Sequence, residues 1–576
     1  MQTAGQEAEL TDTSTATDCD ILVIGGGPAG STAATLLARR GWKVVLLEKS
    51  HHPRFHIGES LLPANLPLLE TLGVADEVKQ IGMMKWGAEF VSPWHDHTST
   101  FHFADAWDKS MPYAYQVRRS QFDEILFRNA ARNGAQAIEG ARVREVDFAP
   151  GGQGATVRAE HDDGTVHTWR CRFLVDASGR DTFLANRFKT KQRHPRHNSS
   201  AMYAHFAGAT RHDGRDEGNI SIFWFDHGWF WFIPLSDGLT SIGAVTWPYY
   251  MKRRDKPLRE YFLDTIAQCP KLIARLAGAS IASEVEATGN YSYVNAHTHG
   301  PDYLLLGDAY AFIDPVFSSG VMLAMQSAFT GADTVDACLR EPARAPQALA
   351  AFDRAMRHGP KEFSWFIFRV TNPTMRHLFM NPRNTLRMKE ALLSILAGDI
   401  FRDTPYKPAL YAFRTLYYVF SAANLRRTIG AWRARRNNIR VDDAGAGAAP
   451  RTASCRNWPS NCLPTPARRC RRTRSGCCAT AKPWARAARC PAPKSICRCW
   501  APAIPCARPG AAAHCRAPAR AGRCATARTA SCSSAASPCP RSAGRWARAV
   551  FLLADVCREN LLVEIEACAW KPAGHS

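Results

Sequence analysis

Three glycines and a carboxylate carry the first chemistry the sequence offers. Residues 21–48 read ILVIGGGPAGSTAATLLARRGWKVVLLE, with Gly25-x-Gly27-x-x-Gly30 and then Glu48. Gly25 permits a tight turn, Gly27 lets backbone amides approach a pyrophosphate, and Gly30 lets helix and strand pack closely. A helix N-terminus favours phosphate charge. Glu48 stands where a ribose diol would donate to it. This is dinucleotide chemistry, and the stretch alone does not separate FAD from NAD. Further along, FLVDASG at 173–179 ends a buried strand in Asp176 and a small turn at Gly179, which brings backbone and carboxylate near a cofactor. In 303–330, YLLLGDAYAFIDPVFSSGVMLAMQSAFT, Asp308 at a strand end suits a ribityl hydroxyl. The amides of Ser319 and Gly320 open a helix that suits an anion or a carbonyl oxygen.

Other candidates are ambiguous by themselves. Arg119 opens a helix, where it either reaches phosphate or ribose or is an exposed terminal charge. Lys85 is the only cation in the mostly apolar run 81–90 and reads, on residue type alone, as a snorkelling or solvated lysine. His51, His52 and His56 lie close together, but no carboxylate or cysteine stands at ligand spacing, so a polar loop is expected and no metal site. No GxSxG elbow accompanies Ser60 or Ser178, which argues against acyl transfer.

The elements that must position these groups follow from periodicity. Strand, glycine turn, helix and strand fill 21–48. A helix is expected over 64–78, antiparallel strands over 91–115, and a helix from 117 to about 133. A small β-meander is expected over 135–168. The aromatic, alternating run 199–247 (with ISIFWFDHGWFWFIPL) reads as central antiparallel strands facing a pocket. Residues 342–440 read as helices capping the body. The fold class is α/β (α+β): a Rossmann-like part in pieces at about 19–80, 116–195 and 290–345, with an inserted antiparallel sheet at about 81–115 and 196–289. A helical C-terminal cap at 346–440 follows. Residues 1–18 read as a disordered leader.

Four features in this order resemble FAD proteins of the p-hydroxybenzoate hydroxylase fold. These are GxGxxG with Glu48, then Arg119 with Phe122-Asp123, the DASG turn and Gly307-Asp308. Trp229-Phe-Trp231-Phe-Ile233-Pro234 resembles the WxWxIP pattern of flavin-dependent halogenases. Residues 312–320 resemble their segment over the flavin, and Lys85 lies where they keep a lysine. The resemblance covers about 18–440. It implies a two-component enzyme: FADH2 from a separate NAD(P)H-flavin reductase, O2, and chloride or bromide give hypohalous acid, which reaches an electron-rich ring through Lys85. The catalytic set it implies is Lys85, Trp229, Trp231, Pro234, Ser319 and Gly320. The FAD-binding set is Gly25, Gly27, Ala29, Gly30, Glu48, Lys49, Glu59, Ser60, Arg119, Asp176, Gly179, Asp308, Pro315, Gly320 and Val321.

Departures from the tryptophan halogenases point elsewhere. The chain has GGGPAGS and GESLLP where those resemble GGGTAGW and GEATxP, and Phe317 stands where a catalytic glutamate is expected. A phenol or pyrrole, free or tethered to an acyl carrier protein, is therefore expected over free tryptophan. The runner-up enzymes are an aromatic monooxygenase and a geranylgeranyl-reductase-like flavoprotein.

Charge and cysteine divide the chain. The whole carries +22, yet residues 441–576 hold 22 Lys+Arg against 6 Asp+Glu and 15 of the 19 cysteines. The body is nearly neutral and cysteine-poor, without a secretory signal or an apolar membrane span, and reads as cytoplasmic. The basic tail invites a nucleic-acid reading, but it has no period and lacks acids from 444 to 554. It reads better as a GC-rich gene translated out of frame, so no nucleic-acid partner is expected.

Overall fold

The computed structural model describes residues 17–194, 197–289 and 292–439. The chain divides into two units, Met1–Cys470 and Arg471–Ser576, and the second lies outside the described residues. The expectations for the tail and for residues 1–16 fall outside them too. Thr17 and Asp18, expected in the leader, belong to the first strand, Thr17–Ile24.

One seven-stranded sheet carries the glycine motif. Its parallel part sets Gln136–Ile138, Val44–Leu47, Thr17–Ile24 and Val166–Asp176 side by side, with Tyr303–Leu305 also on Val166–Asp176. Ala141–Phe148 and Ala155–His161 extend it antiparallel. The expected meander is therefore split. Its first strand joins the parallel edge, and the rest grows from the same sheet, because Val166–Asp176 is long enough to serve both. Parallel strands are covered on both faces, and Ile21–Val23 and Val44–Leu46 are accordingly buried and apolar. Pro28–Arg39 packs against Gly320–Arg340 and Arg119–Arg132.

The second sheet has eight strands. Ser200–Ala207, Leu239–Thr246, Gly228–Pro234, Ile220–Phe225, Gly87–Val91 and Thr98–His102 lie in that order, with Ser280–Ile281 and Glu286–Gly289 on the outer strand. Strand alternation divides its aromatic residues between two cores. Trp224, Trp229, Trp231 and Ile233 join a core with Phe366, Phe379, Leu392 and Phe413 of the C-terminal helices. Phe223, Phe225, Phe230 and Phe232 join another with Phe262 and Leu272. The helices Ala345–Ile367, Pro373–Met380, Met388–Ala397 and Lys407–Ala423 thus share a core with the inserted sheet. The single helix expected over 64–78 is two, Leu66–Leu72 and Ala75–Ile81. Gly73 at φ +72° ends the first, a conformation that side chains with a Cβ resist.

Candidate active site

A cavity of about 1010 Å³ opens between the two sheets. Gly25, Gly27, Pro28, Ala29, Glu48 and Lys49 line one end, and Trp229, Trp231 and Ile233 line another. Between them lie Gly58, Glu59, Ser60, Arg119, Ser178, Gly179, Asp308, Pro315, Gly320 and Val321. The loop 54–57, read only as polar, also lines it.

The glycines fit a dinucleotide for separate reasons. A Cβ on Gly30 would stand 1.9 Å from the Gly25 carbonyl oxygen, and one on Gly25 2.5 Å from that of Ala177, so these two close the turn. A Cβ on Gly27 would meet only the Arg54 guanidinium, at 3.6 Å. Its methyl would enter the cavity, at the N-cap of Pro28–Arg39, where no side chain caps the helix. Bare amides facing a cavity of this size suit a pyrophosphate.

Glu48 accepts from the Gly26 N–H at 2.7 Å and the Ser50 N–H at 3.1 Å, with Arg54 at 3.5 Å. It holds the glycine turn while its edge faces the cavity. Lys49 pairs with Asp181. Arg119 is buried rather than exposed. It donates to both Asp123 oxygens, at 2.8 and 3.0 Å, and to the Ile57 carbonyl. Asp123 is thereby held below the usual carboxylate range, against the cost of its burial. Burial, reinforced by the Arg119 charge, pulls His56 down to about 4, so a neutral imidazole faces the cavity at pH 7. Asp308 also faces the cavity, and burial pushes its carboxyl up to about 6. These groups fit the pyrophosphate, ribose and ribityl parts of FAD.

Asp176 does something different from what its motif suggested. It is buried off the cavity wall and accepts the Ser178 and Leu184 amides at 2.9 and 2.8 Å. It shapes the turn that presents Ser178 and Gly179. Pro234 lies off the wall as well, and Ile233 takes the place expected of it. Ser319 is the N-cap of Gly320–Arg340, with its Oγ buried and without a partner among the described residues. Gly320 lines the cavity, and a Cβ there would meet nothing within 4 Å, so the first turn of this helix is open on that side.

Lys85 ends the short strand Met83–Lys85, paired with Ala114–Gln116. It is only 1% exposed. Its Nζ donates to Ser60 Oγ and to the Leu61 carbonyl, each at 3.0 Å, and lies 5.3 Å from the Phe103 ring centre. Burial alone pulls its pKa down to about 7. Ser60 is on the cavity wall; Lys85 stands directly behind it. The solvated reading of this lysine is therefore wrong.

Two residues were not foreseen, Arg54 on the wall and His205 behind it. Arg54 bridges Glu48 and Asp123, and His205 holds Glu59. Arg54 stands within the histidine-rich loop, where the histidines drew attention from it. His205 had no local signal. Among the described residues no group of three His, Cys, Asp or Glu is arranged to hold a metal, and no helix is long and apolar enough to cross a membrane.

A glycine-turn dinucleotide cradle opening onto an aromatic sheet, antiparallel as expected except where Ile220–Phe225 pairs in parallel with Gly87–Val91, defines an FAD-binding oxidoreductase fold. Residues 18–358 match the family model described as FAD binding domain. The chain is 36% identical over 327 residues to a tryptophan 2-halogenase of Chondromyces crocatus, covering 55% of this chain and 60% of that one. It is 28% identical over 407 residues to a 1H-pyrrole-2-carbonyl-[peptidyl-carrier protein] chlorinase of Pseudomonas fluorescens, covering 67% and 90%. The solved structure of the myxobacterial chondrochloren halogenase CndH superposes with a TM-score of 0.58 at 33% identity, covering 67% and 91%. The chain belongs to this FAD-binding family and, within it, to the flavin-dependent halogenases. It spans 60% of the length of the tryptophan 2-halogenase, and the relatives' names include both an indole and a carrier-bound pyrrole substrate.

Proposed function

We propose that the chain is a two-component halogenase that places chlorine or bromine on an electron-rich ring, a phenol or pyrrole, free or carrier-bound. Reduced FAD from a separate reductase would supply, with O2, the oxidising power that turns halide into hypohalous acid. The buried amine of Lys85 behind the cavity wall is the observation that carries this reading.

The chain's own groups divide the work. Trp229 and Trp231 fill the wall beside the cavity and keep an organic ring from its reacting end. Gly320, at the start of a 21-residue helix and on the cavity wall, offers a halide a positive dipole end. Lys85, near neutrality in its buried site, either donates to hypohalous acid or takes the halogen. In the second case the O–X bond and one N–H bond break, N–X forms and water leaves; ring attack then restores the amine. With no carboxylate bonded to it among the described residues, Lys85 is free to serve as an amine as well as an ammonium.

The test is an assay of full chain with FAD, a flavin reductase, NADH, O2 and bromide against phenols, pyrroles and indole. Mass spectrometry would read the bromine isotope doublet, with Lys85→Ala in parallel. A doublet that Lys85→Ala abolishes supports the reading. Hydroxylated product that ignores bromide moves the chain to the monooxygenases.

A further inference from the structure

Lys85 is separated from the cavity by a single side chain. The backbone of 59–61 runs beside Ala114–Gln116, with the Leu61 N–H donating to the Tyr115 carbonyl at 2.9 Å and the Val117 N–H to that of Glu59 at 2.8 Å. Met83–Lys85 pairs with the other edge of the same strand, where Lys85 opposes Ala114. The lysine stem crosses this small residue and ends against Ser60 and Leu61. Ser60 therefore touches the cavity on one side and Nζ on the other.

A neutral amine has two N–H bonds and one lone pair. Here the two acceptors are Ser60 Oγ and the Leu61 carbonyl, on a backbone held in place by its pairing with the neighbouring strand. With both N–H bonds used, the lone pair has one direction left, away from both. We propose that Ser60 is the positioning residue of Lys85: its hydroxyl, with the Leu61 carbonyl, orients the amine toward the halogen it receives. This rests on the reading that Lys85 carries the halogen. Ser60 was expected to bind cofactor; its hydroxyl also accepts from the lysine.

Among the described residues no neighbouring charge substitutes for this contact. Glu59 is turned to His205 and Arg118, Asp105 to Lys389, and Glu390 to Arg387. On the central strand, Tyr115 is kept neutral, its hydroxyl pushed up to about 12 by burial. The charged form of Lys85 thus depends on two neutral acceptors, one of which a substitution can remove.

The experiment is an NMR titration of the full chain with 13C-labelled lysine, in which the Lys85 ε-methylene signal is identified by its loss in Lys85→Met. Wild type should titrate near pH 7. In Ser60→Ala the midpoint should fall by about one pH unit, because the ammonium loses an acceptor. Ser60→Thr, which keeps the hydroxyl, should restore it. An unchanged or raised midpoint in Ser60→Ala, or no restoration by threonine, overturns the assignment. Bromination is followed in the same variants: Ser60→Ala should lose about tenfold in rate and shift its pH profile with the NMR midpoint. Abolished bromination in Lys85→Met with an unshifted Ser60→Ala titration sinks the Ser60 assignment alone. Bromination by Lys85→Met sinks the reading on which it rests.

Discussion

Glu59 and His205 face each other in the interior, Nε2 to Oε1 at 2.9 Å and to Oε2 at 3.1 Å. Arg118 stands 3.9 Å from the same carboxylate. The pair ties the loop that carries Ser60 to the strand Ser200–Ala207 of the inserted sheet. His205→Ala should destabilise the fold by about 2–3 kcal/mol, since a buried carboxylate loses its main donor. Glu59→Gln keeps an acceptor for His205 and should cost less than about 1 kcal/mol. Urea denaturation of both variants checks this, and equal losses would show that the hydrogen bond is not what matters.

The motif glycines should separate folding from binding. Gly30→Ala drives a methyl into the Gly25 carbonyl and should lower the melting temperature steeply. Gly27→Ala meets only the flexible end of Arg54. It should fold normally yet retain FAD at least about tenfold more weakly, because its methyl occupies space beside the bare helix amides. Thermal melting and equilibrium dialysis with FAD read the two effects independently.

What the sequence made legible was what depends on local period. The strand-turn-helix around Gly25–Gly30 formed as read, and the alternation of Trp229, Phe230, Trp231 and Phe232 foretold two faces. Contacts that close over long separations left no such trace. Ser60 meets Lys85 across 25 positions and Glu59 meets His205 across 146. Lys85 looked solvated because lysine usually is; only tertiary packing buries it. Asp176 misled for the opposite reason, since a carboxylate at a strand end suits a cofactor and a turn equally, and here two amides claim it.

The alternation gives a paired prediction. Phe232→Ala empties the core behind the sheet and should cost about 3–5 kcal/mol, with little change in bromination per folded molecule. Gly243→Ala acts on the other face, where its methyl would lie 2.2 Å from the Trp231 ring. It should displace that indole, cost about 1–3 kcal/mol, and alter tryptophan fluorescence. If Trp231 guards the cavity, bromination per folded molecule should fall with it.

Asp308 should trade stability for binding. Its carboxyl rises from 3.8 to about 6 on folding, so the folded chain holds a proton that the unfolded chain has released. That contribution is complete below about pH 4 and is lost as pH rises through about 6. Asp308→Asn, neutral throughout, should therefore be more stable than wild type above pH 6, by about 3 kcal/mol. The two should converge below pH 4. Flavin retention should fall in the same variant if the carboxylate takes a ribityl hydroxyl. Melting curves across this pH range, without added flavin, read the first effect.

On the side away from Ser60, Lys85 is covered by a roof fastened by exposed contacts. Phe103 lies over Nζ, and Phe103, Ala114 and Ala397 form a small cluster there. Around it, Lys389 pairs with Asp105 at 3.2 Å and Arg402 with Asp108 at 2.7 Å. The Arg387 guanidinium sits 3.6 Å from the Trp107 ring centre, and the Trp107 N–H donates to Ser394 Oγ at 3.2 Å. Exposed pairs of this kind contribute about 0–1 kcal/mol each, enough to hold a roof shut and little enough to let it open. Asp105→Asn with Asp108→Asn should raise the rate at which a small amine-reactive reagent modifies Lys85, by about threefold to tenfold. Added salt should do the same for wild type and little for the double variant, because screening removes what the substitutions have already removed. Asp108 is held below the usual carboxylate range, first by the Ser110 N–H, so mild acid should not mimic either treatment. Mass-spectrometric mapping of Lys85 modification decides it: equal rates in wild type and the double variant would mean that the way to the lysine opens elsewhere.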